Sequence, residues 1–196
     1  MRIGPYKTAP PCRVFVVLAA LMAVLAFSQV EARTLILTQN FTPGSAKALQ
    51  AALTDDVDTV ILNVSGGYLE EGMAIGKLLR ARRLRVIVPA GGQCLSACAE
   101  AFLGGVSYQI NGVLAFHIPR AARLGNREQA FNVGLAGGTL TSIYRFEMGF
   151  GFSLTQDINK WTSPERLLVF KTAAELLSYQ GGQAPRRLPR LMDYGG

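Results

Sequence analysis

Two side chains of this sequence could together carry out nucleophilic catalysis: the hydroxyl of Ser96 and the imidazole of His117. A hydroxyl nucleophile needs a base that accepts its proton and N–H donors that hold the developing oxyanion. Ser96 follows a predicted strand and a glycine pair, at a predicted helix start where backbone N–H groups favour negative charge. Gly66 and Gly67 follow another predicted strand, where glycine lets backbone N–H groups face a substrate. Together these residues predict a serine-type hydrolase site.

Each of these signals, taken alone, also has a structural explanation. A serine at a helix start most often caps the helix, and a glycine pair after a strand often only turns the chain. No serine lies in a G-x-S-x-G segment, so the nucleophile elbow of α/β-hydrolases is absent. Cys12 leaves with the N-terminal signal or stays on the cytoplasmic side, and one histidine with the two close cysteines, Cys94 and Cys98, does not make a four-ligand zinc site. Carboxylates alone could still hold a metal. We expect no metal and no other cofactor.

Alternating strands, glycine turns and helices run through the centre of the chain and predict a parallel sheet of the α/β class. Apolar, β-branched runs predict strands at 33–38, 59–64, 84–89 and 113–116. Helical periodicity predicts helices at 43–53, 69–83, 95–103, 127–150, 164–170 and 172–179. Because function in such sheets gathers at the carboxyl ends of strands, we expect Gly67, Ser96 and His117 to lie on one edge.

The N terminus has the pattern of a hydrophobic signal helix for export. Three basic residues precede an uninterrupted apolar run at 14–27. Val30-Glu31-Ala32 is a small-x-Ala ending that makes Arg33 the expected first mature residue. The alternative is an uncleaved signal anchor, which tethers the protein to the membrane through residues 14–27. In either case the positive flank stays in the cytoplasm, so we expect an exported, periplasmic or otherwise extracytoplasmic domain.

The chain therefore divides into a signal at 1–32, one domain at 33–182 and a flexible basic tail at 183–196. Removing the signal takes away three basic residues and one acidic residue, which lowers the formal net charge from +7 to +5. Part of the remaining excess lies in the tail. The sequence has no basic patch interleaved with aromatic residues, so we expect no nucleic-acid partner.

Four segments resemble the Clp protease proteolytic subunit, a family of the Clp/crotonase superfamily. Residues 62–79 (LNVSGGYLEEGMAIGKLL) resemble its strand–glycine–helix segment, and 92–105 (GQCLSACAEAFLGG) resemble its nucleophile helix. Residues 113–119 (VLAFHIP) resemble its histidine strand, and 170–179 (FKTAAELLSY) are similar to the helix before its final turn. The Cys-x-Ser-x-Cys surround looks like that of a group of exported Clp-like proteins.

This resemblance implies a spiral of β-β-α units, a parallel sheet and the chemistry of a serine protease. Ser96 would be the nucleophile, His117 the general base and then the acid, and the N–H groups of Gly67 and Ala97 the oxyanion hole. The substrate would be a peptide or an unfolded protein, hydrolysed at its amide bonds. The family forms rings, so a homo-oligomer is expected. An ATP-driven unfoldase partner is not expected, because ATP is not available outside the cytoplasm.

The third catalytic residue is where the sequence departs from the family. The family has an aspartate two residues before the position of Phe170, and this chain has Leu168 there. Asp157 and Glu165 are the nearest acids and the two candidates for a third member. Loss of the orienting acid in a trypsin-like triad costs about 10⁴ in kcat, so a Ser–His dyad and a weak or inactive enzyme are the alternatives. Residues 121–160, where the family carries its oligomer-stacking helix, also match poorly.

Cys94 and Cys98 flank Ser96, four positions apart. Across a helix start, their Cα atoms could lie within the disulfide range of about 4.4–6.8 Å. Two buried free thiols packed against the sheet are the alternative. For an exported protein we predict the bridge.

Three functions remain open on the sequence alone. The first is an exported serine peptidase-like hydrolase. The second keeps the fold as a catalytically weak or inactive binding or scaffold protein, which Leu168 favours and the set of Gly67, Ser96 and His117 opposes. The third is an acyl-thioester enzyme of the crotonase type, which the Ser–His pair and an exported location disfavour.

Overall fold

The computed structural model describes residues 32–118, 127–182 and 189–194, with the side chains of 127–135 left out. The described residues all belong to one compact unit, Ala32–Gly196. The predicted signal at 14–27 lies outside the described residues, as does most of the predicted tail.

Seven strands, six α-helices and a final 3₁₀ turn make up the described part of this unit. The strands are β1 (Arg33–Leu37), β2 (Val57–Leu62), β3 (Arg85–Val88), β4 (Gln93–Leu95), β5 (Ser107–Ile110), β6 (Val113–Phe116) and β7 (Leu168–Phe170). The helices are α1 (Ser45–Ala52), α2 (Leu69–Ala81), α3 (Ala97–Leu103), α4 (Arg127–Glu147), α5 (Phe152–Trp161) and α6 (Ala173–Leu177), followed by the 3₁₀ turn Leu191–Tyr194.

The strands form two sheets. The first has the order β1-β2-β3-β5, with all neighbours parallel. The second has the order β4-β6-β7, in which β4 and β6 are parallel and β7 is antiparallel to β6. Val64 extends the second sheet by a parallel bridge to Cys94. Three successive units therefore each place one segment in the first sheet, the next in the second sheet, and then a helix, which is the predicted β-β-α spiral.

The main core lies between the first sheet and the helices that cover it. Inward residues of β2 and β3, among them Val60 and Val86, are fully buried, and so are Leu79 of α2 and Phe102 of α3. Every residue of α3 is buried. Burying this much apolar surface stabilises the domain and holds the helix that follows Ser96 rigidly in place.

One predicted helix contains a strand in the structure, and another begins later than predicted. The predicted helix 164–170 ends in β7, whereas the predicted helix 95–103 is confirmed as α3 and begins at Ala97, because Leu95 is the last residue of β4. Both strands are three residues long, and a run this short carries no periodicity that separates helix from strand. The sequence prediction also missed β5 and α5.

The strand at 113–116 was predicted correctly in position, but its place in the sheet differs from the expectation. It pairs with β4 in the second sheet, and the neighbour of β3 is β5. The chain crosses between sheets over the short β5–β6 connection, and nothing in the composition of that connection indicates such a crossing.

Part of the predicted flexible tail packs against the domain. Leu167 N–H donates to Pro189 O, and Leu191 N–H donates to Glu165 O. Leu191 and Tyr194 then pack on a small cluster of Leu95, Ala115 and Leu167. These contacts cover the face of the second sheet that the main core leaves open. Within the described ranges, no helix has the length and apolar character needed to cross a membrane.

Candidate functional site

The predicted site residues follow three neighbouring segments of the second sheet, at the edge where those segments end. Gly66 and Gly67 follow Val64, Ser96 follows β4, and His117 follows β6. Leu95 pairs with Ala115 in parallel register, and the N–H of Ser96 donates to the carbonyl of Ala115 at 3.0 Å. Parallel pairing therefore brings Ser96 and His117 to the same edge.

Ser96 has a backbone conformation that non-glycine residues rarely adopt. Its φ is 56° and its ψ is −122°. It occupies the position before α3, but its side chain makes no capping hydrogen bond. The helix-cap explanation for this serine therefore fails. Strain of this kind costs about 1–3 kcal/mol and persists where the surrounding structure enforces it, which is typical of a nucleophile held on a strand-to-helix turn.

Gly66 and Gly67 are glycines because the backbone approaches too closely for a side chain. A Cβ on Gly66 would lie 2.9 Å from Cβ of Ser96 and 3.5 Å from its Oγ. A Cβ on Gly67 would lie 2.2 Å from the carbonyl oxygen of Phe41. Both residues also have positive φ, 127° and 134°. Gly66 thus packs directly against Ser96, and Gly67 packs against the backbone of Phe41.

The two backbone N–H groups expected to form the oxyanion hole make no hydrogen bond to any described residue. They belong to Gly67, which is exposed, and to Ala97, the first residue of α3. A first-turn N–H has no acceptor within its own helix, and the strand pairing of Gly67 uses its neighbours instead: Phe41 N–H donates to Gly66 O, and Tyr68 N–H donates to Phe41 O.

Cys94 and Cys98 are joined by a disulfide across the Ser96 turn. Their Cα atoms lie 5.1 Å apart, and both residues are fully buried. The bridge ties the end of β4 to the first turn of α3. These positions lie two residues before and two residues after the serine, where a G-x-S-x-G elbow has its glycines.

The imidazole of His117 contacts the backbone one residue further on. Its Nδ1 lies 2.7 Å from the carbonyl oxygen of Ile118. The N–H of Ile118 in turn donates to Oγ1 of Thr162 at 3.0 Å. His117 is partly exposed.

The structure gives the candidates for a third catalytic residue different surroundings. Leu168 of β7 pairs with Phe116, directly before the histidine, and its side chain is buried hydrocarbon. Asp157 is buried in α5, where Oδ1 accepts from Trp161 Nε1 and Oδ2 accepts from the Tyr179 hydroxyl and the N–H of Gly182. These contacts commit both oxygens of Asp157 to holding α5 against α6. Burial, together with the hydrogen bond to Asp157, raises the pKa of Tyr179, which therefore stays a neutral donor.

Glu165 lies on the exposed turn that connects Ser163 with Arg166. Its Oε2 accepts from the hydroxyl of Ser163. This turn immediately precedes Leu167 and β7, so Glu165 is closer along the chain to the position of the missing aspartate than Asp157 is.

A buried ion pair links α3 to α4. Two guanidinium nitrogens of Arg145, Nε and Nη2, donate to the carboxylate of Glu100. Arg145 is 1% exposed and Glu100 is 3% exposed. The guanidinium also lies over the ring of Phe116, 5.8 Å from its centroid. Burial raises the pKa of the neighbouring Tyr144, whose hydroxyl donates to the carbonyl of Glu100. The pair links α4 to the helix that follows Ser96.

Among the described residues, no group of three or more His, Cys, Asp and Glu side chains could hold a metal ion. A cavity of about 420 Å³ lies between β1 and α1, and its lining contains no titratable side chain. Its lining includes Phe41, which bridges to Gly67, but none of Gly66, Gly67, Ser96 and His117, and we assign it no part in the chemistry.

Sequence reasoning missed Thr162, the Glu100–Arg145 pair and the contact between Gly66 and Ser96. The sequence indicated Gly66 as one of the two glycines after a predicted strand. Its contact with Ser96 could not be predicted, because it depends on the pairing of Val64 with β4. Thr162 and Arg145 are far from the site along the chain, and Arg145 also lies in the part that least resembles the family. Only the charge of a glutamate within the otherwise apolar 97–103 segment could have indicated that a cation faces it.

No protein-family model matches this chain, and no curated protein matches it in sequence. A solved structure of a ClpP1 variant from Listeria monocytogenes is similar in fold, with a TM-score of 0.57 and 17% sequence identity. The match covers 85% of this chain and 97% of that chain. At this identity the likeness establishes the fold alone: the chain has the α/β fold of a Clp protease subunit, as the sequence predicted.

Proposed function

We propose that the protein is an exported serine hydrolase that cleaves peptide bonds, with Ser96 as nucleophile and His117 as general base. The observation that carries this proposal is the conformation of Ser96. A serine held at positive φ, without a capping hydrogen bond, between a glycine pair and a disulfide, has no evident structural use. Its surroundings have the features of an activated nucleophile.

In the proposed reaction Oγ of Ser96 attacks the carbonyl carbon of the scissile bond while His117 takes the hydroxyl proton. The tetrahedral oxyanion is held by the N–H groups of Gly67 and Ala97, each worth roughly 10²–10³ in rate. His117 then passes the proton to the leaving amine. Water, activated by the same imidazole, hydrolyses the acyl-enzyme and regenerates the serine.

Peptides are the substrates that an open sheet edge accommodates best. Gly67 is exposed, and its bridge to Phe41 uses the backbone groups of Gly66 and Tyr68, so its own N–H is left for an extended chain lying beside it. We propose short or unfolded peptides outside the cytoplasm, with no ATP-driven unfoldase. A membrane tether through residues 14–27 belongs to the same proposal if the signal is not cleaved.

A fluorophosphonate probe tests the proposal directly. The full chain, expressed with its own N-terminal segment and purified after export, is treated with the probe and measured by intact mass. We expect one adduct, lost in Ser96→Ala and formed more slowly in His117→Ala. Ser163→Ala is the matched control, because this serine lies on a surface turn, and it should label like the wild type.

The absence of an adduct on folded, oxidised protein would contradict a hydrolase and favour a binding protein with a Clp protease-like cleft. The buried hydrocarbon of Leu168 beside the histidine strand is the observation that keeps this second function in view. Binding of extended peptides by the Ser96→Ala variant would then be the property to measure.

A further inference from the structure

We infer that the backbone carbonyl of Ile118 takes the place of the missing catalytic acid, and that Thr162 is the positioning residue that holds it there. The inference rests on the proposed function, because it assigns how the base of that site is oriented. It begins from the contact between Nδ1 of His117 and the oxygen of Ile118 at 2.7 Å.

A carbonyl oxygen only accepts hydrogen bonds, so the proton in this contact belongs to Nδ1. The neutral ring then carries its lone pair on Nε2. In a serine protease triad, the aspartate imposes this same tautomer, and Nε2 takes the proton of the serine. The Ile118 carbonyl therefore selects the tautomer and the orientation of the imidazole, as an aspartate does in a triad, but it supplies no negative charge.

Thr162 fixes Ile118 from the other side. It ends α5 as its C-terminal cap residue, and only 9% of its surface is exposed. Its hydroxyl gives its one proton to the carbonyl of Ile158 at 2.7 Å, so a lone pair faces the N–H of Ile118. The next residue in the sequence is Pro119, which restricts the backbone of Ile118 to extended conformations. Ile118 is thus held at its N–H and restricted in its dihedral angles.

The residue at the position of the family aspartate is itself not an acceptor. Leu168 lies beside the histidine strand as hydrocarbon, and both oxygens of Asp157 have partners elsewhere. In a triad, replacing the aspartate by asparagine costs about 10⁴ in kcat because the tautomer is then wrong. A carbonyl acceptor selects the correct tautomer, so the loss of the aspartate at Leu168 does not carry that penalty here.

The test uses the fact that the chain has a single histidine. The full chain is purified with a tag that contains no histidine and labelled with ¹⁵N, and the ring nitrogens are recorded by NMR at a pH where the ring is neutral. We expect the wild type to be mainly protonated on Nδ1. A folded wild type protonated mainly on Nε2 would overturn the inference without any variant being needed.

Two variants of Thr162 then separate positioning from simple stability. Thr162→Val keeps the shape and removes the acceptor, and Thr162→Ser keeps the acceptor. We expect Thr162→Val to move the ring toward the Nε2 tautomer and to slow fluorophosphonate labelling about tenfold, the factor that corresponds to one hydrogen bond of about 1.4 kcal/mol. Thr162→Ser should restore both the tautomer and the rate.

An unchanged tautomer in folded Thr162→Val would contradict the role of Thr162. If Thr162→Val does not fold, the wild-type tautomer and the labelling rate of Thr162→Ser decide the matter, and a Thr162→Ser protein that folds but labels as slowly as His117→Ala would contradict it. An Nδ1 tautomer in a protein that no probe labels would leave the orientation standing and remove the proposed hydrolase.

Discussion

At the scale of single residues, the site depends on how closely Gly66 lies to Ser96. The glycine has no side chain to contribute, and its function is to leave room for the serine Cβ and Oγ. Because the two residues belong to adjacent segments of the second sheet, any group added at Gly66 moves the serine relative to His117. Serine catalysis is sensitive to such movement, since a misplacement of about 1 Å can cost about 100-fold in rate.

We predict that Gly66→Ala lowers the rate of fluorophosphonate labelling by about 100-fold or more. The added Cβ would have to occupy space within 2.9 Å of the serine Cβ, at a φ of 127° that alanine disfavours. Gly138→Ala is the control, because nothing lies within 4 Å of its Cβ position in α4, and it should stabilise the fold by about 0.5–1 kcal/mol. A Gly66→Ala protein that labels at the wild-type rate would contradict the packing argument.

The sequence indicated the reacting residues, but not the residues that orient them. Ser96, His117 and Gly67 stand in local motifs, so their positions at strand ends were open to prediction. The contact from Thr162 to Ile118 spans 44 positions and exists only because α5 ends against the exit of β6. A threonine after a helix is too common for its type alone to predict that contact.

At the scale of elements, the buried ion pair between α3 and α4 is the contact most sensitive to mutation. Arg145 and Glu100 are both almost fully removed from water, so neither charge can be solvated if its partner is lost. The same two helices are also joined by Tyr144. The ion pair therefore holds in place the helix whose first N–H group belongs to the proposed oxyanion hole.

We predict that Arg145→Met lowers the free energy of unfolding by about 3–5 kcal/mol, because it leaves the Glu100 carboxylate buried without a partner. Urea unfolding measures this. Lys77→Met removes the exposed ion pair between Lys77 of α2 and Glu147 of α4. It should lower the free energy of unfolding by no more than about 1 kcal/mol. Adding Glu100→Leu to Arg145→Met should recover much of the loss. Equal costs for the two single variants would mean that the buried charges are solvated.

The fold errors also belong to this scale. The helices α2 and α4 and the strand at 113–116 were predictable because their patterns extend over enough residues or end in clear turns. The strands Gln93–Leu95 and Leu168–Phe170 were not, because three residues of apolar character are compatible with helix or strand. Their state is decided by pairing with Val64 and with β6, which are distant in sequence.

At the scale of the whole molecule, one face of the described domain is unusually apolar. Leu140, Ile143 and Phe146 of α4 and Phe152 of α5 are all more than half exposed, and the two phenylalanine rings are in contact. Monomeric proteins seldom leave large apolar side chains grouped in this way. We refer to these four residues as the α4–α5 face and propose that it is where copies of the chain meet in the homo-oligomer implied by the family resemblance.

We predict that Phe146→Glu reduces the mass of the particle measured by light scattering after gel filtration. A charge placed in an apolar interface would remain buried without a partner, whereas on a free surface it is tolerated. Leu177→Glu is the control, since this exposed leucine lies on α6, and it should leave the mass unchanged. A wild-type protein that is monomeric at all concentrations would contradict the proposed interface.

The disulfide beside Ser96 makes the reactivity of the serine depend on the compartment in which the molecule is found, because the bridge forms only under oxidising conditions. Thiols stay reduced in the cytoplasm and pair after export. If the protein is exported as we propose, a newly made chain carries Ser96 on an unbridged turn until it has crossed the membrane. The bridge is worth about 2 kcal/mol in chain entropy, comparable to the strain of the turn that it closes. We expect oxidised full-length protein to label and the Cys94→Ala/Cys98→Ala protein to label slowly. The proposed hydrolase would therefore have low activity in the cytoplasm, where it is made, and full activity only after export.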